Sequence, residues 1–206
     1  MRLDPKKLPS FRSWLLRVHA DLFTIARKIV WVNEMQQLSD FEKIVLVLED
    51  RRFLHHGGVD YIACGRELFK ALTFRKHGGA STIDMQFVRT ATGFRQRTLR
   101  RKLYEIFLSI VIQYRYSKLT ILRSYLSCAF FGSHLNGATK AARSLFKKEL
   151  NHVTANESAQ LAAMLVYPKP LIPKEEWWTK IRRRANYGQR RMIRLEKSFD
   201  EIPRRE

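Results

Sequence analysis

Helix-start patterns recur along this chain and constrain its fold more than any other feature. At residues 39–42 and again at residues 154–157, a hydroxyl side chain is followed three positions later by glutamate. This capping box satisfies two backbone N–H groups in the first turn of a helix. Ser81 or Thr82 is expected to begin another helix in a similar way. Alternating apolar and polar residues, which are typical of strands, are scarce. The sequence therefore predicts an all-α, or mainly α, fold.

The spacing of apolar residues extends this prediction along the chain. Further helices are expected at residues 60–72, 95–116, 118–130, 138–148 and 177–197. Residues 132–137 are expected to form a turn, and residues 168–173 an extended, proline-rich crossing. Within the helix at 95–116, the stripe expected to face the core consists of Leu99, Leu103, Phe107, Ile110, Val111 and Tyr114.

The charge of the chain narrows the choice of partners. It carries 39 Lys and Arg residues against 19 Asp and Glu residues, a net charge of +20. Such a surface favours a polyanion, an anionic membrane or a phosphorylated substrate. A basic nucleic-acid-binding module is therefore one functional alternative. The sequence shows no uninterrupted run of the roughly 20 apolar residues that a membrane-spanning helix needs. Cys64 and Cys128 fit no metal-binding spacing, so we expect no metal site.

The N-terminal 35 residues contain a basic amphipathic helix. Ser10 is its expected N-cap, and its apolar stripe consists of Phe11, Trp14, Leu15, Val18, Leu22, Ile25 and Ile29. Two interpretations fit this pattern. The stripe packs on the rest of the domain, or it lies in the interface of an anionic bilayer with basic residues around it.

A first candidate for chemistry is the carboxylate pair Glu49 and Asp50. The pair ends the apolar run at residues 44–48 and is followed by two arginines, two histidines and two glycines. A carboxylate between an apolar segment and cations is a candidate general base near neutral pH. Taken alone, the pattern equally fits the C-terminus of a helix with solvated charges.

A second candidate is Glu105. Arg97, Arg101 and Glu105 are spaced four residues apart and so share one helix face, with Lys102 beside them. Arginine forks bind phosphate oxygens with two hydrogen bonds, so this face suits a diphosphate. Ordinary ion pairing along a helix is the alternative. Residues 78–86 add a glycine-containing loop that leads into a helix N-terminus, where backbone N–H groups favour an anion.

Five segments, taken in order, resemble glycosyltransferase family 51, the peptidoglycan glycosyltransferases. The first three are Glu49-Asp50-x-x-Phe53-x-x-His56-x-Gly58, Gly79-x-Ser81-Thr82-Ile83-x-x-Gln86 and Arg101-Lys102-x-x-Glu105. The fourth and fifth lie within residues 121–148 and 157–173. The resemblance implies a lysozyme-like lobe with a small membrane-facing jaw, in which residues 36–200 form the glycosyltransferase domain and residues 1–35 precede it.

The resemblance also implies a reaction. Such an enzyme polymerises lipid II into glycan strands by inverting transfer and releases polyprenyl diphosphate. Glu49 would be the general base and Glu105 the second catalytic carboxylate. The substrate-binding residues implied are Asp50, His56, Ser81, Thr82, Gln86, Arg89, Arg97, Arg101 and Lys102.

The expected partners are lipid II, the lipid-linked glycan strand, an anionic membrane surface and cell-wall synthesis proteins, without nucleic acid. No cofactor is required, although a divalent cation such as Mg²⁺ can assist. The implied location is the bacterial inner membrane, peripheral or anchored, with the catalytic domain on the periplasmic or outer face.

Four positions depart from the family pattern: Met85, Arg123, Ser127 and Leu145. These departures leave an inactive paralogue as an alternative, and a lysozyme-like glycoside hydrolase would also use two carboxylates.

Overall fold

The computed structural model describes residues 10–32, 37–73, 79–96 and 98–199, except for the side chains of residues 68, 71 and 195–199. Over these residues the helices are α1 (Phe11–Ala26), α2 (Asp40–Glu49), α3 (Tyr61–Leu72), α4 (Ile83–Thr92), α5 (Leu99–Arg115), α6 (Lys118–Cys128), α7 (Ala138–Phe146), α8 (Ala155–Ala163) and α9 (Glu175–Phe199). Short 3₁₀ turns lie at Phe53–His55 and Leu150–His152. The prediction of a mainly α fold is confirmed.

The helix starts follow the capping residues. Ser39 and Thr154 each form the complete capping box, and Ser10 caps α1. Thr82, and not Ser81, caps α4 by accepting a hydrogen bond from the Met85 N–H. The start of α5 was predicted at residue 95, which is four residues too early. The hydroxyl of Thr98 accepts a hydrogen bond from Arg101 N–H and so caps the helix at Leu99.

A small hairpin interrupts the predicted pattern after α6. That helix ends at Cys128, and β1 (Phe130–Gly132) pairs with the antiparallel strand β2 (Leu135–Asn136). Gly132 also forms a parallel bridge with Lys169 in the proline-rich crossing. A Cβ atom at Gly132 would collide with the backbone of Lys169, so only glycine allows this approach.

Two sets of helices share one continuous apolar core. Helices α2, α8 and α9 pack against one another, while α4 packs against α1, α5 and α6. Helix α7 contacts both α6 and α8 and so links the sets. The largest fully buried side chains include Phe53, Phe87, Phe131, Ile44 and Leu122. The ends of α2 and α4 are therefore held by surrounding helices.

Helix α1 packs on the domain through most of its predicted stripe. Val18 and Ile25 are buried, and Trp14, Leu22 and Ile29 pack against the core. This agrees with the first interpretation for these residues. Other apolar side chains of α1 are exposed, namely Phe11, Leu15, Leu16 and Phe23. Within the described part of the chain, every helix is too short or too polar to cross a bilayer.

The predicted core face of α5 is wrong. Leu99 is 76% exposed and Tyr114 is 89% exposed, and Leu103 and Phe107 are exposed as well. The residues that α5 buries are Glu105, Leu108, Ser109 and Ile112. A buried carboxylate is tolerated where cations pair with it, and Glu105 has two such partners. The helix thus turns its charged stripe inward and leaves its apolar stripe outside.

Candidate active site

Glu49 is the last residue of α2, and three contacts hold the end of this helix. Arg184 on α9 donates to Glu49 Oε1 at 2.8 Å and also to the Leu48 carbonyl oxygen at 3.1 Å. The side-chain amide of Gln86 on α4 lies 3.5 Å from Glu49 Oε2. The Glu49 side chain is 10% exposed. A carboxylate that is oriented yet still reached by solvent can accept a proton from a bound substrate.

Tyr125 on α6 fixes the orientation of Gln86. Its hydroxyl donates to Gln86 Oε1 at 2.7 Å, which turns the NH₂ group of the amide toward Glu49. Burial raises the pKa of Tyr125, and the negative charge of Glu49 adds to that effect. The phenol therefore remains protonated and remains a donor at physiological pH.

Asp50 joins the end of α2 to the start of α4. Its Oδ2 accepts a hydrogen bond from the backbone N–H of Ile83 at 3.0 Å and lies 3.0 Å from His56 Nε2. Thr82 adds a second link, because its hydroxyl donates to the Gly58 carbonyl oxygen at 2.7 Å. Gly58 has φ +91°, and a Cβ there would lie 2.5 Å from the carbonyl oxygen of Ser109 on α5. Asp50, His56 and Thr82 therefore position the loop that follows Glu49.

A buried charge cluster lies behind this loop. Asp84 is fully buried, and the Lys118 ammonium lies 3.2 Å from its Oδ2 and 4.3 Å from the Phe53 ring centroid. Burial raises the pKa of Asp84 more than Lys118 and His56 lower it. Among the described residues, Asp50, His56 and Asp84 bring possible metal-ligand atoms within 4.8 Å of one another. The ammonium of Lys118 already supplies a positive charge at this place.

Glu105 is fully buried on α5 with two cations. Arg101 Nη1 lies 2.5 Å from Glu105 Oε2, and Lys102 Nζ lies 3.1 Å from Oε1. Lys102 also donates to the Ser81 hydroxyl at 2.9 Å and contacts the Met85 sulfur at 3.1 Å. The helix ion pairing considered from the sequence is present, but here it holds a buried carboxylate beside the N-terminus of α4.

Both carboxylates are therefore connected to the first turns of α4. Glu105 reaches this helix through Lys102, and Glu49 reaches it through Gln86. Arg89 lies one turn after Gln86 and is half-buried. The predicted residues that the structure brings together around α4 are Glu49, Asp50, His56, Ser81, Thr82, Gln86, Arg89, Arg101, Lys102 and Glu105. Arg97 lies outside the described residues.

Two important contacts were missed from the sequence. Arg184 is 135 positions from Glu49 and lies in a run of three arginines, so no spacing distinguishes it. Tyr125 belongs to the fourth motif, but its contact with Gln86 depends on how α4 packs against α6. A motif gives the residue types, whereas such cross-helix contacts depend on the tertiary structure.

Two of the four residues that depart from the family pattern have clear side-chain partners in the structure. Arg123 pairs with Glu42 at 2.6 Å and donates to the Gln37 carbonyl oxygen at 3.3 Å. Met85 is fully buried beside Lys102. Leu145 packs partly against the core, and nothing in the structure explains serine at position 127.

Comparisons with a family model and with known proteins agree on the family of this chain. A family model described as Transglycosylase matches residues 19–193. A Cupriavidus necator protein named "Putative transglycosylase" is 36% identical over 151 residues, which cover 73% of this chain and 65% of that protein. Penicillin-binding protein 1F of Bacillus subtilis is 32% identical over 155 residues, or 75% of this chain and 21% of that protein. Penicillin-binding protein 1A of Rickettsia felis is 34% identical over 152 residues, or 72% of this chain and 19% of that protein. The chain thus spans 65% of the first relative and about a fifth of the two penicillin-binding proteins.

Proposed function

This chain belongs to the transglycosylase family, glycosyltransferase family 51, and from that membership we propose that it is a peptidoglycan glycosyltransferase that polymerises lipid II. The observation that carries the proposal is the family match over residues 19–193. The geometry supports it, since the two carboxylates expected from the family's motifs both connect to the N-terminal turns of α4.

In the proposed reaction, Glu49 takes the proton from the 4-hydroxyl group of the acceptor lipid II. The acceptor oxygen then forms a bond to the anomeric carbon of the donor sugar, and its configuration inverts. The bond from that carbon to the phosphate oxygen breaks, and its electron pair leaves with the polyprenyl diphosphate. Arg184 and Gln86 each hold one oxygen of the Glu49 carboxylate, which fixes the direction of proton transfer.

The donor diphosphate is proposed to bind beside Glu105. Arg101 and Lys102 provide two cations there, and the nearby N-terminus of α4 favours an anion. Arg101 offers its fork to phosphate oxygens, while the buried Glu105 carboxylate keeps both cations in place. Arg97 and Arg89 are proposed to add positive charge for the same group. No cofactor is required in this proposal, and a divalent cation such as Mg²⁺ assists by neutralising the diphosphate.

A membrane surface is the proposed location because lipid II resides in a bilayer. Trp14 on α1 packs against Phe107 on α5 with the ring centroids 5.6 Å apart, so the two helices meet. Both helices carry exposed apolar side chains, namely Phe11, Leu15, Leu16, Phe23, Leu99, Leu103 and Phe107. Arg12 and Arg17 flank them on α1 and suit anionic headgroups. We place the protein on the periplasmic or outer face of the bacterial inner membrane, peripheral or anchored, near other cell-wall synthesis proteins.

The decisive test is purified protein with labelled lipid II, scored for polymer and for released polyprenyl diphosphate. We expect polymer from the wild type and a loss of about 10²-fold or more for Glu49→Gln. Glu149→Gln is the matched control, because Glu149 is an exposed carboxylate paired with Arg143. Absence of polymer with cleavage of finished peptidoglycan would instead identify a hydrolase. If both substrates remain unchanged, the protein is an inactive relative. A parallel reaction with a chelator tests the contribution of a divalent cation.

A further inference from the structure

The last helix carries a row of basic residues that starts at the catalytic carboxylate. Arg184, Tyr187, Arg191 and Arg194 are spaced by three or four residues, so they lie along one face of α9. Arg184 contacts Glu49. Arg191 follows Arg184 by seven residues, which is about 10 Å along a helix axis. The row therefore leads away from the reaction centre over a distance comparable to two linked sugars.

The far end of this row forms a small basic cavity. Tyr187, Arg190, Arg191 and Arg194 line a space of about 230 Å³, and we call these four residues the arginine cluster. The Arg191 guanidinium lies 5.9 Å from the centre of the Tyr187 ring. Its Nε atom is buried and has no hydrogen-bond acceptor in the described part of the structure. The described lining residues offer hydrogen-bond donors.

The acidic residues of α9 lie outside the stretch that holds the cluster: Glu175 and Glu176 begin the helix, and Glu196 follows Arg194 by two positions. Residues 177–194 contain no aspartate or glutamate. Some exposed arginines elsewhere in the chain are paired, since Arg182 bonds to Glu175 and Arg143 bonds to Glu149. Over the residues that the structure describes, Arg190, Arg191 and Arg194 have no such ion pair. Three neighbouring guanidinium groups repel one another unless an external anion joins them, so the cluster is suited to an oxyanion ligand.

We propose that the arginine cluster is a subsite for the carboxylates of the glycan strand on which the enzyme acts. This proposal rests on the proposed function, and it is favoured by the continuity between the cluster and Glu49. The peptide substituents of a peptidoglycan strand carry free carboxylates at regular intervals, and guanidinium forks bind such groups. The donor diphosphate, in contrast, is already matched by Arg101 and Lys102. A strand held at the cluster would stay bound between successive additions.

The first experiment measures binding without catalysis. Fluorescent, uncrosslinked glycan strands are prepared with their peptides and, in parallel, with the peptides removed by an amidase and the lactyl carboxylates so exposed converted to amides. The test variant is Arg190→Ser with Arg194→Ser, and the control is Arg143→Ser with Arg182→Ser, which removes the same charge. Melting curves establish that each variant is folded.

We expect the wild type and the control to bind peptide-bearing strands about tenfold more tightly than stripped strands, since each exposed charge pair contributes a factor of about two to five. The test variant should lose this preference. Equal binding of both strands by the wild type, or an equal loss in test and control variants, would overturn the proposal. Binding to a DNA duplex is measured in the same way. A test variant that loses this binding but keeps its preference for peptide-bearing strands would also overturn the proposal.

A second experiment measures strand length with labelled lipid II. The test variant should consume lipid II at an initial rate within about twofold of wild type but release strands that are several-fold shorter. Unchanged strand length would contradict the role in retention. If the wild type makes no polymer, the proposed function fails, while the binding experiment still decides whether the cluster recognises the strand.

Discussion

Replacing Arg184 tests whether the orientation of Glu49 contributes to the proposed reaction. Arg184→Met keeps a long side chain but removes the donors to Glu49 Oε1 and to the Leu48 carbonyl oxygen. A hydrogen bond to a charged group contributes about 1.5–3 kcal/mol. The two side chains are 23% and 10% exposed, so solvent weakens the interaction. We therefore take the lower end, about 1.5–2 kcal/mol, which corresponds to a rate loss of about 10–30-fold.

The effect should fall on kcat more than on KM, because Arg184 is proposed to act through the base Glu49 and not through substrate affinity. Steady-state polymerisation of labelled lipid II measures both constants. Arg184→Lys retains one donor and should recover part of the rate. Arg183→Met is the matched control, since the neighbouring Arg183 is exposed. The reasoning is refuted if Arg184→Met keeps more than about half of the wild-type kcat, or if the control loses as much.

Three further predictions concern stability. Gly58→Ala should lower the free energy of unfolding by about 2 kcal/mol or more, because φ is +91° and the new Cβ meets the backbone of α5; Gly57→Ala, with nothing within 4 Å, should stay close to wild type in the same melting experiment. Burial raises the pKa of Asp84, so its contribution to stability is greatest in acid and is lost as pH rises through that raised pKa. The melting temperature of Asp84→Asn relative to that of the wild type should therefore rise between about pH 4 and pH 8. A difference between the two that stays constant over this range would contradict the prediction. Arg123→Ala should cost about 1–2 kcal/mol by removing the partly buried pair with Glu42, and denaturant titration would show no change if that pair were unimportant.

Much of the fold could be predicted because helix starts are local events. A capping hydroxyl and the glutamate three residues later interact within one turn, so Ser39 and Thr154 marked their helices correctly. The hairpin at residues 130–136 depends instead on a distant contact. Gly132 bridges to Lys169 in the proline-rich crossing, and nothing near residue 132 in the sequence specifies that partner.

The orientation of α5 could not be obtained from its pattern of apolar residues. The rule that apolar stripes face the core assumes that burying charge costs more than exposing leucine. Glu105 reverses this balance, because Arg101 and Lys102 accompany it into the interior and Lys102 extends to Ser81. Where a carboxylate and its cations form a complete network, the polar stripe can be the inner one, and the exposed apolar stripe becomes available for another surface.

In the candidate site, too, residues within local motifs could be predicted, whereas residues that act through distant contacts could not. Asp50 and Thr82 follow from motifs, and their partners lie at the junction of two chain segments. Arg184 had no recognisable pattern, yet it makes the shortest hydrogen bond to Glu49 among the described contacts.

The departures from the family pattern can be judged by the contacts that each of these residues makes. Arg123 is paired with Glu42 and not with Glu49 or Glu105, so this substitution changes an ion pair and not the proposed chemistry. Met85, in contrast, contacts Lys102, which also binds Glu105. A thioether is a weak acceptor, so it competes little for the ammonium and leaves its charge available to a diphosphate. Among the departures with a clear structural partner, Met85 is thus the one positioned to alter how strongly the proposed diphosphate donor is held, and the reaction type proposed for the chain depends on neither Met85 nor Arg123.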